Sequence, residues 1–354
     1  IQQGYLAGNS LLSDVEGKKA LGIDFIAQFI GSDRLYEQKY LSDVSDEYKS
    51  ILEAYCEGIN RFAQIHPEQV LSKKLFPINT KSLFLYGQLQ LFISSKGDYW
   101  VKKILKNKLN YEPVKDEVKG SNTFAFNSSK TKDGNTYLAI NTHQPLDGPT
   151  SWYEVHLNSE EGTDIIGALF AGSPNVLIGA NRDIAWAHTV NIPDKTDVFA
   201  LEMHPSKKKY YRVDEEYLKL KKQRAKLLIK ILGIPIKISK RYYESIYGPT
   251  LKNDSGYYSV RTPSLFEIKA LEQWWRMNKA KNFTEFYNIL RMKGLPGYNI
   301  GYADKNDTIF YISNGLIPKR VEGYDWANVV PGNTKKTLWT TTCLLYTSPS
   351  PRDR

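Results

Sequence analysis

The sequence predicts an α+β protein in which a helical segment is followed by stacked sheets and then by further helices. Early in the chain, apolar residues recur at three- and four-residue spacing, as they do on one face of a helix. From residue 121 onward the pattern changes to short runs that alternate between apolar and polar residues, which is typical of strands. With 354 residues, 41% of them apolar, the chain is long enough for one large core or two domains.

Residues 34–106 are predicted to be mostly helical. Ser45 is a candidate N-cap, and the acidic residues Asp46 and Glu47 behind it suit the positive end of a helix dipole. A second helix is predicted for Lys81–Phe92. The apolar stripe of the first helix comprises Tyr48, Ile51, Leu52, Tyr55, Ile59 and Phe62.

A connector and a β-hairpin follow the helical segment. Residues 106–120 are rich in Lys, Asn and Glu and contain one Pro, so we expect a short exposed connector. Thr123–Asn127 and Tyr137–Asn141 alternate in the manner of strands, and they flank Lys132-Asp133-Gly134-Asn135, a turn signal. The sequence therefore predicts a hairpin over residues 123–141.

The remaining elements are predicted from the same two patterns, the three- and four-residue spacing of helices and the alternation of strands. Residues 210–260 alternate apolar and basic side chains, with Ile234, Ile236 and Ile238 on one face. Helices are expected at 264–279 and at 283–292, the second capped by Asn282. Shorter strands are expected at Tyr153–Leu157, Val176–Ile178 and Thr308–Ile312.

Both ends of the sequence look unlike natural termini. Residues 343–354 resemble a translated sequencing adapter, and the chain starts at Ile1 without an initiator Met, so we expect a gene fragment truncated at both ends. Without that tail Cys56 is the single cysteine, which excludes an intramolecular disulfide. No apolar run approaches the roughly 18–20 residues that a membrane-spanning helix needs.

The chemistry is expected at Gly120-Ser121, because cutting this bond would give Ser121 both a hydroxyl nucleophile and a free α-amine. Such an amine has an ordinary pKa of about 7.7–8.0, which suits a base that works near neutral pH. One residue would then supply nucleophile and base without a separate catalytic His. Gly120 also leaves the preceding carbonyl uncrowded for attack by the Ser121 hydroxyl.

Three later landmarks follow Ser121 along the chain. His143 lies 22 residues after Ser121, Val190 lies 69 residues after it, and Asn299 precedes Tyr302-Ala303-Asp304. Further motifs are Ser151-Trp152-Tyr153-Glu154, Gly172-Ser173-Pro174-Asn175, Asn181-Arg182-Asp183 and Gly248-Pro249. In this order, over residues 35–342, the sequence resembles the penicillin acylase family of N-terminal-nucleophile hydrolases, which includes acyl-homoserine lactone and cephalosporin acylases.

The resemblance implies a four-layer αββα N-terminal-nucleophile hydrolase sandwich, incomplete in this chain. Residues 1–105 would be a partial, mostly helical α chain, and 106–120 the connector. Residues 121–342 would be the N-terminal part of a β chain that carries the nucleophile. The resemblance also implies self-processing into these two chains and a periplasmic or secreted location.

The resemblance assigns roles to individual residues. Ser121 would be the nucleophile, and the His143 side chain would hold its amine. The backbone N–H of Val190 and the side-chain amide of Asn299 would stabilise the oxyanion. Arg320 would form a hydrogen bond near the nucleophile and Asn299.

The expected reaction is hydrolysis of a small-molecule amide between an acyl chain and an amine, such as a β-lactam or an acyl-homoserine lactone. Gln144 and Ile178 would line the acyl pocket. No cofactor is required for this chemistry. Asp194, Thr196 and Asp197 match a structural calcium loop of the family, with two carboxylates and one backbone carbonyl as hard oxygen ligands.

Other enzyme classes find less support in the sequence. Ser129-Lys130-Thr131-Lys132 fits the Ser-x-x-Lys pattern of penicillin-binding enzymes, but it lies in a strand–turn–strand pattern rather than at a helix start. No Gly-x-Ser-x-Gly elbow or phosphate loop is present. The histidines lack the spacing of zinc ligands; they are His66, His143, His156, His188 and His204.

A basic binding module is the non-enzymatic alternative, since the formal net charge is +10. Lys207–Lys209 and the Lys and Arg residues between 219 and 241 would contact nucleic acid or an anionic surface. However, acidic residues at 214–216 lie among them, and the basic residues alternate with apolar ones, which is typical of solvated strand faces. We therefore expect an acylase that does not bind nucleic acid.

Overall fold

A computed structural model describes residues 1–109, 120–148, 150–191, 193–231 and 234–343 of the chain. Most of the expected connector, 110–119, and the expected adapter segment beyond residue 343 lie outside the described residues. No helix in these described ranges is both long and apolar enough to span a lipid bilayer.

The α-helices divide into an N-terminal group and a C-terminal pair. The described helices are α1 (Gln2–Gly8), α2 (Ser13–Glu16), α3 (Leu21–Phe29), α4 (Ser32–Asp43), α5 (Asp46–Ile65), α6 (Thr80–Ser94), α7 (Gly97–Leu105), α8 (Ala270–Lys279) and α9 (Phe283–Leu290).

The strands lie between these two groups of helices and after the second. The described strands are β1 (Ser121–Phe126), β2 (Tyr137–Thr142), β3 (Trp152–Asn158), β4 (Asp164–Phe170), β5 (Ile178–Asn181), β6 (Ile184–Thr189), β7 (Asp197–Leu201), β8 (Tyr210–Val213), β9 (Glu216–Lys219), β10 (Lys221–Ile231), β11 (Ile234–Ser245), β12 (Gly248–Asn253), β13 (Gly256–Arg261), β14 (Gly297–Asp304), β15 (Ile309–Gly315), β16 (Ile317–Pro318), β17 (Val330–Pro331) and β18 (Thr342–Cys343).

The predicted helix caps and the predicted hairpin are confirmed. The Ser45 hydroxyl accepts a hydrogen bond from the backbone N–H of Tyr48 at 3.4 Å, and the Asn282 side chain caps α9. The stripe of α5 is only partly buried, because Ile51 is 39% and Phe62 is 51% exposed. β1 and β2 pair antiparallel, as the sequence predicts.

Several boundaries differ from the sequence prediction, and two of the differences have a clear cause. Val176 and Leu177 are buried, but the strand begins only at Ile178. The reason is that the Asn278 side chain, and not a neighbouring strand, bonds to the backbone N–H and carbonyl of Val176. The helix expected at 264–279 begins at Ala270, after a 3₁₀ turn that starts at Pro263. Pro at this position restricts the backbone and separates the turn from the helix.

Two six-stranded sheets form the frame of the protein. Sheet I has the order β15-β14-β6-β5-β4-β3, and sheet II has the order β10-β11-β12-β13-β7-β17. All neighbouring strands in both sheets are antiparallel except β17, which runs parallel to β7. Sheet II packs one face against α3 and α7, where Phe25, Val101 and Val260 are buried together.

Sheet I lies between α8–α9 on one face and the β1–β2 hairpin on the other. Trp186, Tyr302 and Phe286 are buried on the helical side. On the outer face of the hairpin Phe124 and Phe126 remain 55% and 45% exposed, with no described helix over them. The predicted α+β class is confirmed, and a helix–sheet–hairpin stack fits an incomplete four-layer sandwich.

The face of sheet I below the hairpin is built from small residues. In the register of β6 and β14, Gly301 lies opposite Ala187, and Ala303 lies opposite Ala185. A Cβ atom placed on Gly301 would lie 2.7 Å from Thr123 Oγ1 of β1, closer than van der Waals contact. The absence of a side chain at residue 301 therefore lets β1 approach β14 closely.

We expect Gly301→Ala to lower the free energy of unfolding by about 1–3 kcal/mol, because the added methyl group meets the stiff, β-branched Thr123 side chain. Thr123→Ala combined with Gly301→Ala should recover much of this loss. Gly58→Ala in α5 is the matched control, since no atom lies within 4 Å of its added Cβ and Ala favours helix by about 1 kcal/mol. Denaturant unfolding measures all four proteins, and equal effects at both glycines would contradict the close approach.

Candidate active site

Ser121 is the first residue of β1 and pairs with Thr142 of β2. Side chains alternate along a strand, so Ser121 and Thr123 lie on the side of the hairpin that faces sheet I. The side chain is half-buried, and its Oγ accepts a hydrogen bond from the backbone N–H of His143 at 3.3 Å. Ser121 is thus held between the second strand of its own hairpin and the sheet beneath it.

The imidazole of His143 lies on the opposite side of the hairpin from Ser121. Its Nε2 atom is 3.3 Å from the side-chain nitrogens of both Asn122 and Asn141. In this uncut chain the backbone of His143 reaches Ser121, whereas the predicted contact of the imidazole with the Ser121 nitrogen is not formed. The reason is local, because neighbouring residues of a strand point to opposite faces.

Asn299 and Val190 lie together on sheet I. The Asn299 amide nitrogen donates to Thr189 Oγ1 and to the Val190 carbonyl, both at 3.2 Å. In β14, Asn299 precedes Gly301 by two residues, as Ser121 precedes Thr123 in β1. Strands β1 and β14 touch where Thr123 lies over Gly301. Two residues span about 7 Å of strand, so this contact point lies about 7 Å along β1 from Ser121 and about 7 Å along β14 from Asn299.

An apolar cavity of about 270 Å³ borders Val190. Gln144 and Val190 both line it, so the predicted pocket residue Gln144 and the predicted oxyanion residue share one cavity. Its other walls come from α6, from the turn at 172–174 and from α8. Apolar lining residues that the sequence did not single out are Leu91, Phe170, Leu177, Trp274 and Tyr298.

Ile178 does not line this cavity, in contrast to the sequence prediction. Its neighbour Leu177 does, while Ile178 borders a separate space of about 540 Å³ together with Ile140 and Thr142 of the hairpin. Side chains of consecutive residues in a strand point to opposite faces of the sheet. A prediction that is wrong by one residue therefore assigns a side chain to the wrong one of the two cavities.

Arg320 contacts carboxylates instead of Ser121 or Asn299. Its Nε donates to Asp197 at 3.1 Å, and its Nη2 donates to Asp194 at 2.9 Å. The Trp339 indole N–H donates to Asp197 at 2.7 Å. Burial raises the pKa of Asp197 to about 6, although the positive charge of Arg320 acts in the opposite direction.

Calcium binding at the predicted loop stays a prediction, and in this structure its two carboxylates already have a cation. The cation between the carboxylates of Asp194 and Asp197 is the Arg320 guanidinium. The Thr196 hydroxyl donates to the Ser95 carbonyl, at 2.5 Å. No cluster of three or more His, Cys, Asp or Glu side chains that could hold a metal occurs in the described part of the chain, and calcium needs six or more oxygen ligands.

Two buried polar residues hold the segment that follows Val190. Lys195 Nζ donates to the Asn191 side chain at 2.7 Å, and the Asn191 amide donates to the Asn314 carbonyl at 3.0 Å. Burial lowers the pKa of Lys195 to about 8. Sequence reasoning missed both residues, because no periodicity marks polar side chains that become buried in a loop.

His188 is a structural residue on the helical side of sheet I. Its Nε2 accepts a hydrogen bond from the Trp274 indole N–H at 2.9 Å. Burial lowers the pKa of His188 to about 3, so the ring is neutral at physiological pH. In β6 it precedes Thr189, and it therefore faces away from the hairpin and Ser121.

The hairpin that begins at Ser121 packs on the two strands of sheet I that carry Asn299 and Thr189. The chain belongs to the penicillin amidase family, whose model matches residues 1–352. An acyl-homoserine lactone acylase (PvdQ) of Pseudomonas fluorescens strain Pf0-1 is 29% identical over 209 residues, which are 56% of this chain and 27% of the relative.

Two further relatives extend the comparison. The aculeacin-A acylase of Actinoplanes utahensis is 27% identical over 220 residues, covering 60% of this chain and 27% of that protein. The solved structure of a thermostable penicillin G acylase from Alcaligenes faecalis superposes with a TM-score of 0.54 at 25% identity, over 64% of this chain and 42% of that chain. The chain thus spans about a quarter of the length of the curated relatives it matches.

We expect Arg320→Met to lower the free energy of unfolding by about 3–5 kcal/mol, because it leaves the buried Asp197 carboxylate without its cation. Adding Asp197→Asn should recover much of the loss. Asp194→Asn is the milder control, since the Asp194 side chain is 47% exposed. Denaturant unfolding with and without excess chelator measures these effects. If the chelator destabilised the unmodified protein as strongly as Arg320→Met does, a bound metal would be what neutralises these carboxylates.

Proposed function

We propose that this chain carries the nucleophile of a self-processing acylase that hydrolyses an amide between an acyl chain and an amine. The observation that carries the proposal is the placement of Ser121 at the start of β1, against the sheet that holds Asn299, whose neighbour Val190 lines an apolar cavity together with Gln144. Membership of the penicillin amidase family and the acylase names of the relatives support it.

Processing begins at the Gly120–Ser121 bond. The Ser121 hydroxyl adds to the Gly120 carbonyl carbon, the amide C–N bond breaks, and the acyl group passes from nitrogen to oxygen. Water then hydrolyses this ester, which releases Gly120 as a carboxylate and leaves Ser121 with a free amine. Gly120 suits this step because it places no side chain beside the attacked carbonyl.

The mature Ser121 then acts on the substrate. Its Oγ attacks the amide carbonyl, and its own amine takes the hydroxyl proton. The oxyanion accepts hydrogen bonds from the Val190 N–H and from the Asn299 amide, where the substrate oxygen replaces Thr189 Oγ1 as acceptor. The proton passes to the leaving amine, and water hydrolyses the acyl-enzyme by the same route.

The apolar cavity favours a small-molecule substrate with an apolar acyl group. Phe170, Leu177 and Trp274 present carbon surface, and Gln144 contributes an amide to the wall. The similar proteins are named as acylases of acyl-homoserine lactones, aculeacin A and penicillin G. No cofactor takes part in the proposed steps.

The contacts of the first segment support a mature protein of two chains that stay together. Asn175 donates to the Tyr48 hydroxyl of α5 at 2.8 Å, and the Tyr55 hydroxyl donates to the Ser173 carbonyl at 3.3 Å. Helix α6 supplies part of the cavity wall. The segments before and after Ser121 therefore form the site jointly. Export to the periplasm or the medium remains a prediction from the family resemblance.

We expect Asn299→Ala to lower kcat roughly 100- to 1,000-fold with little change in KM, because the lost donor acts on charge that develops in the transition state. Asn306→Ala is the matched control, since this exposed Asn lies beyond the site in the turn after β14. Ser121→Ala should leave the full gene product inactive as a single uncut chain. Steady-state kinetics of acyl-amide hydrolysis measure kcat and KM for each variant. If Asn299→Ala changed only KM, Asn299 would not be a donor to the oxyanion.

A further inference from the structure

A groove of about 510 Å³ lies where α3, α7 and the hairpin β10–β11 meet. It shares no lining residue with the apolar cavity that borders Val190, so the two spaces are separate. Binding sites for small molecules are concave, about 300–1,000 Å³ in volume and mostly apolar. The groove has these properties, and its apolar walls come from Ile23 and Phe25 of α3, Val101 and Leu105 of α7, and Leu227 and Ile238 of the hairpin.

One side of α7 forms a long wall of the groove. Its lining residues recur at spacings of three and four, which places them along one face of the helix over about 10 Å; they are Asp98, Val101, Lys102 and Leu105. On this wall Leu105 is 40% exposed, and Ile238 of β11 is 39% exposed. An apolar chain that lies in the groove would therefore remove both side chains from water, which is favourable.

Lys240 places an ammonium group on the apolar face of the hairpin. The register sets Lys240 opposite Ala225, on the same face as Ile238, and its side chain lines the groove. Its Nζ atom lies 4.6 Å from the centre of the Phe25 ring. Burial lowers the pKa of Lys240, and no described carboxylate acts in the opposite direction. Among the described residues this ammonium thus has an aromatic ring beside it and no ion-pair partner.

The other cations of the groove are already paired. Lys102 forms an ion pair with Asp98 at 2.7 Å, and Lys19 forms one with Glu16 at 3.2 Å. The excess charge of the groove is therefore the single positive charge of Lys240. A ligand with one negative charge complements it. Phosphate groups carry more charge and suit the planar guanidinium of Arg, and no Arg lines the groove.

We propose that this groove binds a fatty-acid carboxylate, with the acyl chain along α7 and the carboxylate at the Lys240 ammonium. The chain would cover Leu105 and Ile238, and the ammonium would donate hydrogen bonds to the carboxylate oxygens. This binding goes beyond the proposed acylase activity and does not depend on it. The acid that an acylase releases belongs to the same chemical class, so such an enzyme would meet this ligand as its product.

A single acyl chain fits the groove better than a bilayer or a peptide helix does. Phe25, Val101 and Leu227 line the groove although they are buried, so a chain that enters the groove reaches them and a flat bilayer surface does not. A helix about 10 Å across fills roughly 420 Å³ in each 5.4 Å turn, so a space of about 510 Å³ holds little more than one turn. An acyl chain is narrower and can extend along the whole α7 wall.

The test is calorimetric titration of the 354-residue chain with decanoate and with decanol, which have equally long chains and differ in charge. We expect decanoate to bind about five- to tenfold more tightly, because its carboxylate gains a partly exposed ion pair. Lys240→Met should weaken decanoate binding by the same factor and abolish the preference over decanol, and Lys240→Arg should retain it. Lys237→Met is the matched control, since it removes the same charge from the opposite face of β11.

The apolar wall is tested separately. Ile238→Ser should weaken decanoate binding about three- to fivefold through lost apolar contact. Ile51→Ser, at a residue of α5 with the same 39% exposure, should leave it unchanged. Decanoate with a diazirine at the end of its chain should label α3, α7 or β11 of the unmodified chain. No binding of decanoate, labelling confined to the cavity that borders Val190, an unchanged preference for decanoate in Lys240→Met, or an equal loss in Lys237→Met would each overturn the proposal.

Discussion

The close approach of strand β1 to sheet I is the constraint on which the candidate site depends. It is possible because Gly301 has no side chain where Thr123 crosses it. The neighbouring residues Ala187 and Ala185 have small side chains, which also leave room for the hairpin. The opposite face of the same strands carries Trp186 and Tyr302, which pack against α8 and α9. One pair of strands thus combines a bulky face that anchors the sheet with a small-residue face that receives the hairpin.

The proposed mechanism also requires that the backbone around Val190 stays in place, since a backbone donor has no side chain of its own to fix it. The segment after Val190 is fixed by Asn191 and Lys195 on one side and by the ion pairs of Arg320 on the other. Preorganised donors stabilise a developing charge without rearranging during the reaction. The desolvation of these buried groups is the energetic cost of that rigidity, which good hydrogen-bond geometry offsets.

Local patterns in the sequence were sufficient for the helices, the caps at Ser45 and Asn282, and the first hairpin, because these features depend on neighbours a few residues apart. The resemblance pointed to Asn299 and Val190, and the structure brings them into contact. The sequence could not say which face His143 occupies, that Leu177 lines the cavity in place of Ile178, or that Arg320 pairs with Asp194 and Asp197. Each of these facts depends on strand register or on contacts between distant segments. The basic side chains of β10 and β11 are a similar case, because they share one face only once the two strands are paired.

The identity of the nucleophile is tested most directly by labelling the active full gene product with a serine-reactive sulfonyl fluoride and mapping the adduct by peptide mass spectrometry. The hydroxyl oxygen displaces fluoride, so the label stays on the residue that attacks. The proposed mechanism predicts that the labelled peptide begins at Ser121 and carries the adduct on that residue. An active enzyme in which Ser121 is still joined to Gly120, or in which the adduct lies on another residue, would contradict it.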